Sequence, residues 1–198
     1  MASFMPLWSK HRPFNTQRHL GWLLMAWLLI PTEILAAGIT IQRAAARLVN
    51  DVYMVDATIH YQFSQRAIEA LANGIALTLI VEIEVRQRRA YLWDPKVATI
   101  SQRFRLEHHA LSKQYVVTNL ITDMRRNFPS LDEAIAILGK IEGVPIIEQR
   151  LLDPDRSYQA RIRARLDIES LPTLLQPIAY FSSDWYLSSP WYTWEIKP

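Results

Sequence analysis

The stretch Ile75–Trp93, IALTLIVEIEVRQRRAYLW, constrains this chain more than any other. With a period of two, Ile75, Leu77, Leu79, Val81, Ile83 and Val85 fall on one side. Ala76, Thr78, Ile80, Glu82, Glu84, Arg86 and Arg88 fall on the other. That alternation predicts a long strand with one face on a core and the other solvated or covered by a helix. A helix would scatter Glu82, Glu84, Arg86 and Arg88 around the whole circumference.

The neighbouring segments obey the same period. Asn50-Asp51 reads as a turn between two strands over 39–63, the second burying Tyr53, Val55, Ala57, Ile59, Tyr61 and Phe63. Ser64 is placed as an N-cap for a helix over 65–73 with Ile68, Leu71 and Ala72 inward, and Gly74 as its left-handed stop. After an Asp94-Pro95 turn, Ile100, Phe104 and Leu106 mark a strand antiparallel to the central one, with Arg103 and Arg105 near Glu82 and Glu84. Residues 115–122 read as a further strand. Ser130 and Glu133 form a capping box for a helix with Leu131, Ala134, Ile135 and Leu138 inward, and Gly139 and Gly143 bracket its end. A strand is expected over 144–152, then a clean alternation over 158–169 with Arg161, Arg163, Arg165, Asp167 and Glu169 outward. A short helix over 172–176 should be stopped by Pro177. Many half-polar strands and two or three short helices predict a mainly β (α+β), antiparallel, two-layer sandwich-like domain.

Residues 1–37 read differently. Lys10, His11, Arg12, Arg18 and His19 precede the apolar run Leu20–Ile30, followed by Pro31 and by small residues through Gly38. This is the pattern of a secretory signal peptide cleaved after Ala36 or Ala37. Eleven apolar residues reach roughly 16 Å as helix, about half a bilayer core. An uncleaved N-terminal anchor is the alternative. The expectation is a periplasmic, single mainly-β domain over 38–198, free or tethered at its N-terminus.

Of the net charge of +3, the first 37 residues carry Lys10, Arg12 and Arg18 against Glu33. The rest is nearly neutral, so no nucleic-acid partner is expected. There is no cysteine, hence no disulfide framework and no thiolate metal site.

Five fragments, Glu69–Gly74, Arg89–Asp94, His109–Tyr115, Leu166–Pro172 and Trp185–Trp191, resemble in order and spacing the DUF4390 family of exported proteobacterial proteins. The resemblance spans nearly all of the chain after residue 37. It implies export and a single domain, and it brings no catalytic or binding residue. Members are often encoded near a nitrogen-type sensor kinase and response regulator, which implies a link to envelope signalling.

Candidate chemistry is sparse. His108 and His109 are adjacent, so on a strand they point to opposite faces and cannot share an ion without a bulge; His60 is a possible third ligand, but no carboxylate stands at helpful spacing. Ser112, His109 and Asp94 could supply a hydrolase triad, but the glycines, at 21, 38, 74, 139 and 143, form no G-x-S-x-G elbow or phosphate loop. No cofactor and no metal is expected, nor an enzyme. A carrier of small apolar ligands or lipid would need an internal cavity above about 300 Å³.

Two features suit a contact surface. Arg161, Arg163 and Arg165 line one face of a strand. Tyr180, Phe181, Trp185, Tyr186, Trp191, Tyr192 and Trp194 crowd the C-terminal segment. Those rings either close the core or stay partly exposed for an envelope protein partner or a weak membrane contact. Trp185, Trp191, Trp194 and the three arginines are the expected contact residues of a non-catalytic binding or accessory module.

Overall fold

A two-residue turn sets the hairpin that opens the domain. Asn50 and Asp51 both take positive φ, 48° and 61°. This primed geometry matches the twist of paired strands, and β1 (Gly38–Val49) runs antiparallel to β2 (Val52–Gln62). The computed structural model describes residues 38–89 and 93–197. The expected leader or anchor over 1–37 lies outside the described residues, as do Ala90, Tyr91 and Leu92.

Ser64 caps the next helix as its chemistry predicts, its Oγ accepting from Ala67 N at 3.2 Å. Helix α1 (Gln65–Ala72) ends where Gly74, at φ +82°, turns the chain left-handed. There Ile75 N donates to Ala70 O and Gly74 N to Leu71 O, satisfying carbonyls the helix would leave open. The buried side of α1 is Ala67, Ala70 and Leu71, whereas Ala72 is exposed and Ile68 half-buried.

Strand β3 (Leu77–Gln87) is central to a six-stranded antiparallel sheet. On one side it pairs with β4 (Lys96–His109), then β5 (Gln114–Asn119) and β6 (Arg125–Phe128). On the other it pairs with β8 (Tyr158–Leu166) and then β9 (Tyr192–Ile196). The second sheet is β1, β2 and β7 (Lys140–Glu148). The sheets pack face to face around one apolar cluster that includes Val55, Ile59, Leu79, Val81, Ile83, Ala160 and Ile162. Helix α2 (Leu131–Leu138) lies against β2, β5, β6 and β7. Its capping box forms, Glu133 N donating to Ser130 Oγ at 3.3 Å. Gly139 ends it close to β2, where Ile59 N donates to Gly139 O at 2.8 Å. The domain is an antiparallel, sandwich-like α+β fold with no closed barrel.

Several segments differ from their sequence pattern. The strand expected through Thr122 stops at Asn119, because Asn119 Oδ1 accepts from Ile121 N and Thr122 N and turns the chain into β6. β7 starts at Lys140, four residues earlier than its apolar pattern, with Gly143 at φ +61° inside it. A 3-10 turn, Gln149–Leu151, replaces its expected end. β8 ends at Leu166, so Asp167 is buried rather than outward. Pro177 does not stop a helix; it sits in the first turn of α3 (Gln176–Phe181), where its missing N–H costs nothing.

The largest correction concerns β3 itself. Both its faces are buried: Thr78, Ile80 and Glu84 are each at most 5% exposed. Nor do the expected arginines of β4, Arg103 and Arg105, neutralise it; of that strand only Lys96, at its start, reaches Glu84. Register places Ser101 and Thr99 opposite Glu82 and Glu84, whereas Arg163 and Arg161 of β8 face those carboxylates directly. The long apolar stems of these arginines help cover the strand while their heads pair with it.

Candidate functional site

The outer face of the six-stranded sheet holds a charged layer around two carboxylates. Glu84 Oε2 accepts from Arg161 Nε at 2.8 Å and from Arg86 Nε at 3.0 Å, and Lys96 Nζ lies 2.7 Å from its Oε1. Glu82 Oε2 accepts from Arg163 Nη2 at 2.5 Å, and its Oε1 from Arg165 Nη2 at 3.5 Å. Burial pushes the Glu84 carboxyl up; the hydrogen bonds from Lys96, Arg161 and Arg86 outweigh it and hold it down at about 2. Beside this layer, buried Asp167 accepts from Arg103 Nη2 at 3.0 Å and Ser170 Oγ at 2.6 Å.

Five cationic side chains thus converge on Glu82 and Glu84. A nearly neutral residue count conceals this local excess of positive charge. Trp191 lies over it, with the guanidinium carbons of Arg161 and Arg163 at 4.1 Å and 4.6 Å from its ring centre. Such stacking contributes roughly 0.5–2 kcal/mol per contact, depending on desolvation.

Of the expected contact residues, Trp185 is buried and offers its ring to the core. Trp191 and Trp194 are half-buried and point to opposite faces: Trp191 to the arginine layer, Trp194 beside Ala160 and Tyr192 on the inner face. Trp194 Nε1 is shielded from water with no partner among the described residues. Arg161 and Arg163 are committed to Glu84, Glu82 and Trp191, while Arg165 has, among the described residues, its long contact with Glu82 alone. Other rings of the same segment do stand in solvent: Phe181 is 94% and Tyr186 75% exposed. The segment therefore divides between core closure and exposure.

Around α3 lies a surface that the sequence reading missed. Leu171, Leu175 and Ala179, at i, i+4 and i+8, point inward, while Leu174, Ile178 and Phe181, at i, i+4 and i+7, point outward. The i, i+4, i+7 spacing was the available signal, masked by Pro172 and Pro177. A cleft of about 230 Å³ opens beside this helix, lined by Arg163, Arg165, Tyr180, Trp185 and Tyr186 among others.

The remaining candidates come apart. His109 ends the 14-residue β4 and Asp94 precedes its first residue, a separation of more than roughly 40 Å at strand rise, so they form no triad with Ser112. Asp94 instead serves its turn, its Oδ1 accepting from Arg89 N at 2.9 Å. His109 Nε2 accepts from Arg125 Nη2 at 3.3 Å, and His108 packs on Tyr115 with ring centres 4.7 Å apart. Among the described residues no three His, Cys, Asp or Glu side chains gather as a metal site. A second cleft, of about 550 Å³, lies on the outer side of the three-stranded sheet and is rimmed by Arg43, Arg47, Asp56, Lys140 and Glu142. A third, of about 420 Å³, is lined by Arg88, Arg89, Asp155, Arg156 and Ser157. All three clefts are charged surface features rather than an apolar chamber between the sheets.

Comparison with known proteins adds one result. The family model described as a domain of unknown function, DUF4390, matches residues 36–195, and the chain belongs to that family. No curated protein and no solved structure matches it.

Proposed function

We propose that this DUF4390 chain is an exported protein of the cell envelope that binds rather than catalyses, and that its working surface is the end of the domain bearing α3. The observation that carries the binding half is the outward stripe of α3. Leu174, in the turn that leads into α3, and Phe181, its last residue, are 88% and 94% exposed, while Ala179 on the opposite side is buried in the core. Large apolar side chains gathered in one exposed patch are the usual mark of a contact surface. The export half rests on the basic, apolar and small-residue succession of the first 37 residues.

Two experiments test the two halves separately. A phosphatase that folds only when its disulfides form, fused after Pro198, should be active in cells and lose activity when Leu24 and Leu28 are both changed to Arg. An inactive unmodified fusion refutes export. A photo-crosslinking residue in place of Phe181 or Tyr186 should yield adducts in intact cells, and one in place of Leu151 should not. Absence of adducts at both aromatic positions refutes the binding surface.

A further inference from the structure

The α3 surface has a composition and a position that specify what it meets. Its outward stripe, Leu174, Ile178 and Phe181, is flanked by Tyr180 and Tyr186, 58% and 75% exposed. Apolar side chains stand on two sides of the segment formed by α3 and the turn before it, and protein covers only the side of Leu171, Leu175 and Ala179. Tyrosines around such a stripe suit a boundary, with an apolar body and a polar tip. In the adjoining cleft, Arg165 reaches Glu82 only at 3.5 Å, and Arg163 holds the same carboxylate group at 2.5 Å. Glu169 lines the same cleft but makes no ion pair with Arg165, which among the described residues keeps donors for an external anion.

The path of the chain supplies a second, independent constraint. Gly38, where β1 begins, pairs with Gln62. Two residues further on, Ser64 Oγ donates to Asp184 O at 2.7 Å, and Arg66 Nε lies 2.9 Å from the Asp184 carboxylate. Gly38 thus lies within roughly 20 Å of Tyr186. The apolar run ending at Ile30 is separated from Gly38 only by residues 31–37, a reach of at most roughly 30 Å even when fully extended. If the run is retained as the uncleaved anchor, the length of residues 31–37 allows an apolar phase that takes it up to reach the end of the domain that displays Leu174, Ile178 and Phe181.

We propose that this end of the domain lies on the surface of a phospholipid bilayer, with Leu174, Ile178 and Phe181 entering the acyl boundary and Arg165 meeting headgroup phosphates. The inference rests on the reading of the protein as an exported envelope binder and gives that surface its partner. A bilayer satisfies the apolar stripe, the tyrosine rim and the cationic excess together. A second copy docked through the same patch would instead bring two arginine clusters toward each other.

The absence of cysteine makes the test specific. The full chain with Phe181→Cys, labelled with an environment-sensitive fluorophore, is mixed with vesicles of phosphatidylethanolamine and a minority of phosphatidylglycerol. Leu151→Cys is the control, because Leu151 is also exposed but follows Gln149, whose N donates to Asp51 O at the opposite end of the β1–β2 hairpin. The label at 181 should shift to shorter wavelength and brighten several-fold, while the label at 151 stays aqueous. Arg165→Gln should weaken the response at 181 about fivefold on phosphatidylglycerol-containing vesicles at low salt, and leave it unchanged on neutral ones. An aqueous label at 181 on vesicle-bound chain overturns the proposal. So does an equal response at both positions, or a response at 181 that follows protein concentration without lipid. Export is read by the phosphatase fusion, so failure of either experiment is assigned without ambiguity.

Discussion

Replacing Glu84 by Gln should destabilise the domain by an amount that depends on pH. In the folded chain the carboxyl sits at about 2, held there by Lys96, Arg161 and Arg86 against its own burial. An unfolded glutamate titrates near 4.3, so the depression of about two units corresponds to roughly 3 kcal/mol. Lys96 is half exposed, and solvent screening reduces the figure to about 2 kcal/mol. Because the folded value lies below the unfolded one, this contribution is complete above about pH 4.3, declines as pH falls toward 2, and is absent below that. Glu84→Gln keeps the shape, loses the charge, and leaves Arg161 and Arg86 facing an amide. Urea unfolding followed by tryptophan emission should therefore show Glu84→Gln less stable by about 2–3 kcal/mol at pH 7, equivalent to about 1 M in the midpoint for a slope near 2 kcal/mol/M. The deficit should persist at pH 5 and fall below about 1 kcal/mol near pH 2.5. Equal stability at pH 7 would show that the ion layer contributes nothing. An undiminished deficit at pH 2.5 would assign the effect to packing rather than charge.

Two further predictions separate backbone causes. A Cβ at Gly139 would meet Ile59 O at 2.2 Å, whereas one at Gly74 would meet nothing within 4 Å. Gly139→Ala should accordingly cost about 3 kcal/mol or more and displace β2 from α2, while Gly74→Ala should cost only the roughly 1–2 kcal/mol of a left-handed alanine; thermal melts of the two variants compare them directly. Asp51→Gly places the preferred residue at the second position of the primed turn between β1 and β2 and should raise stability by about 0.5–1 kcal/mol in the same assay.

What the sequence made legible here is whatever depends on neighbours along the chain. The Asn50-Asp51 turn, the caps at Ser64 and Ser130, the left-handed stop at Gly74 and the alternation of β8 each follow from chemistry within a few residues, and each is present. What failed depends on which strand lies beside which. Alternation in β3 correctly assigned Leu77, Leu79, Val81, Ile83 and Val85 to the core, but period two does not identify the strand that faces Glu82 and Glu84. The nearest strand in sequence, β4, places Arg103 and Arg105 opposite Ile80 and Thr78 rather than the two glutamates, and Arg103 reaches Asp167 instead. Arginines some 80 residues away complete the layer. Proline misled for a related reason: Pro177 breaks a helix only when preceded by a helical turn whose carbonyl it must leave unbonded, and α3 begins at Gln176.

The same distinction explains why the proposed contact surface differs from the one composition suggests. Composition placed it on the tryptophans, the largest apolar side chains available. Large rings next to a sheet gain most by burial, so Trp185 went inward and Trp191 settled on the arginines, which left the smaller residues of a proline-masked helix turned outward. In this fold Trp191 covers Arg161 and Arg163, and the surface around Leu174, Ile178 and Phe181 stays apolar and exposed. Positive charge at its rim through Arg165 and an apolar centre through Phe181 are together the requirements of a lipid interface, and neither feature alone would distinguish it from an ordinary protein surface.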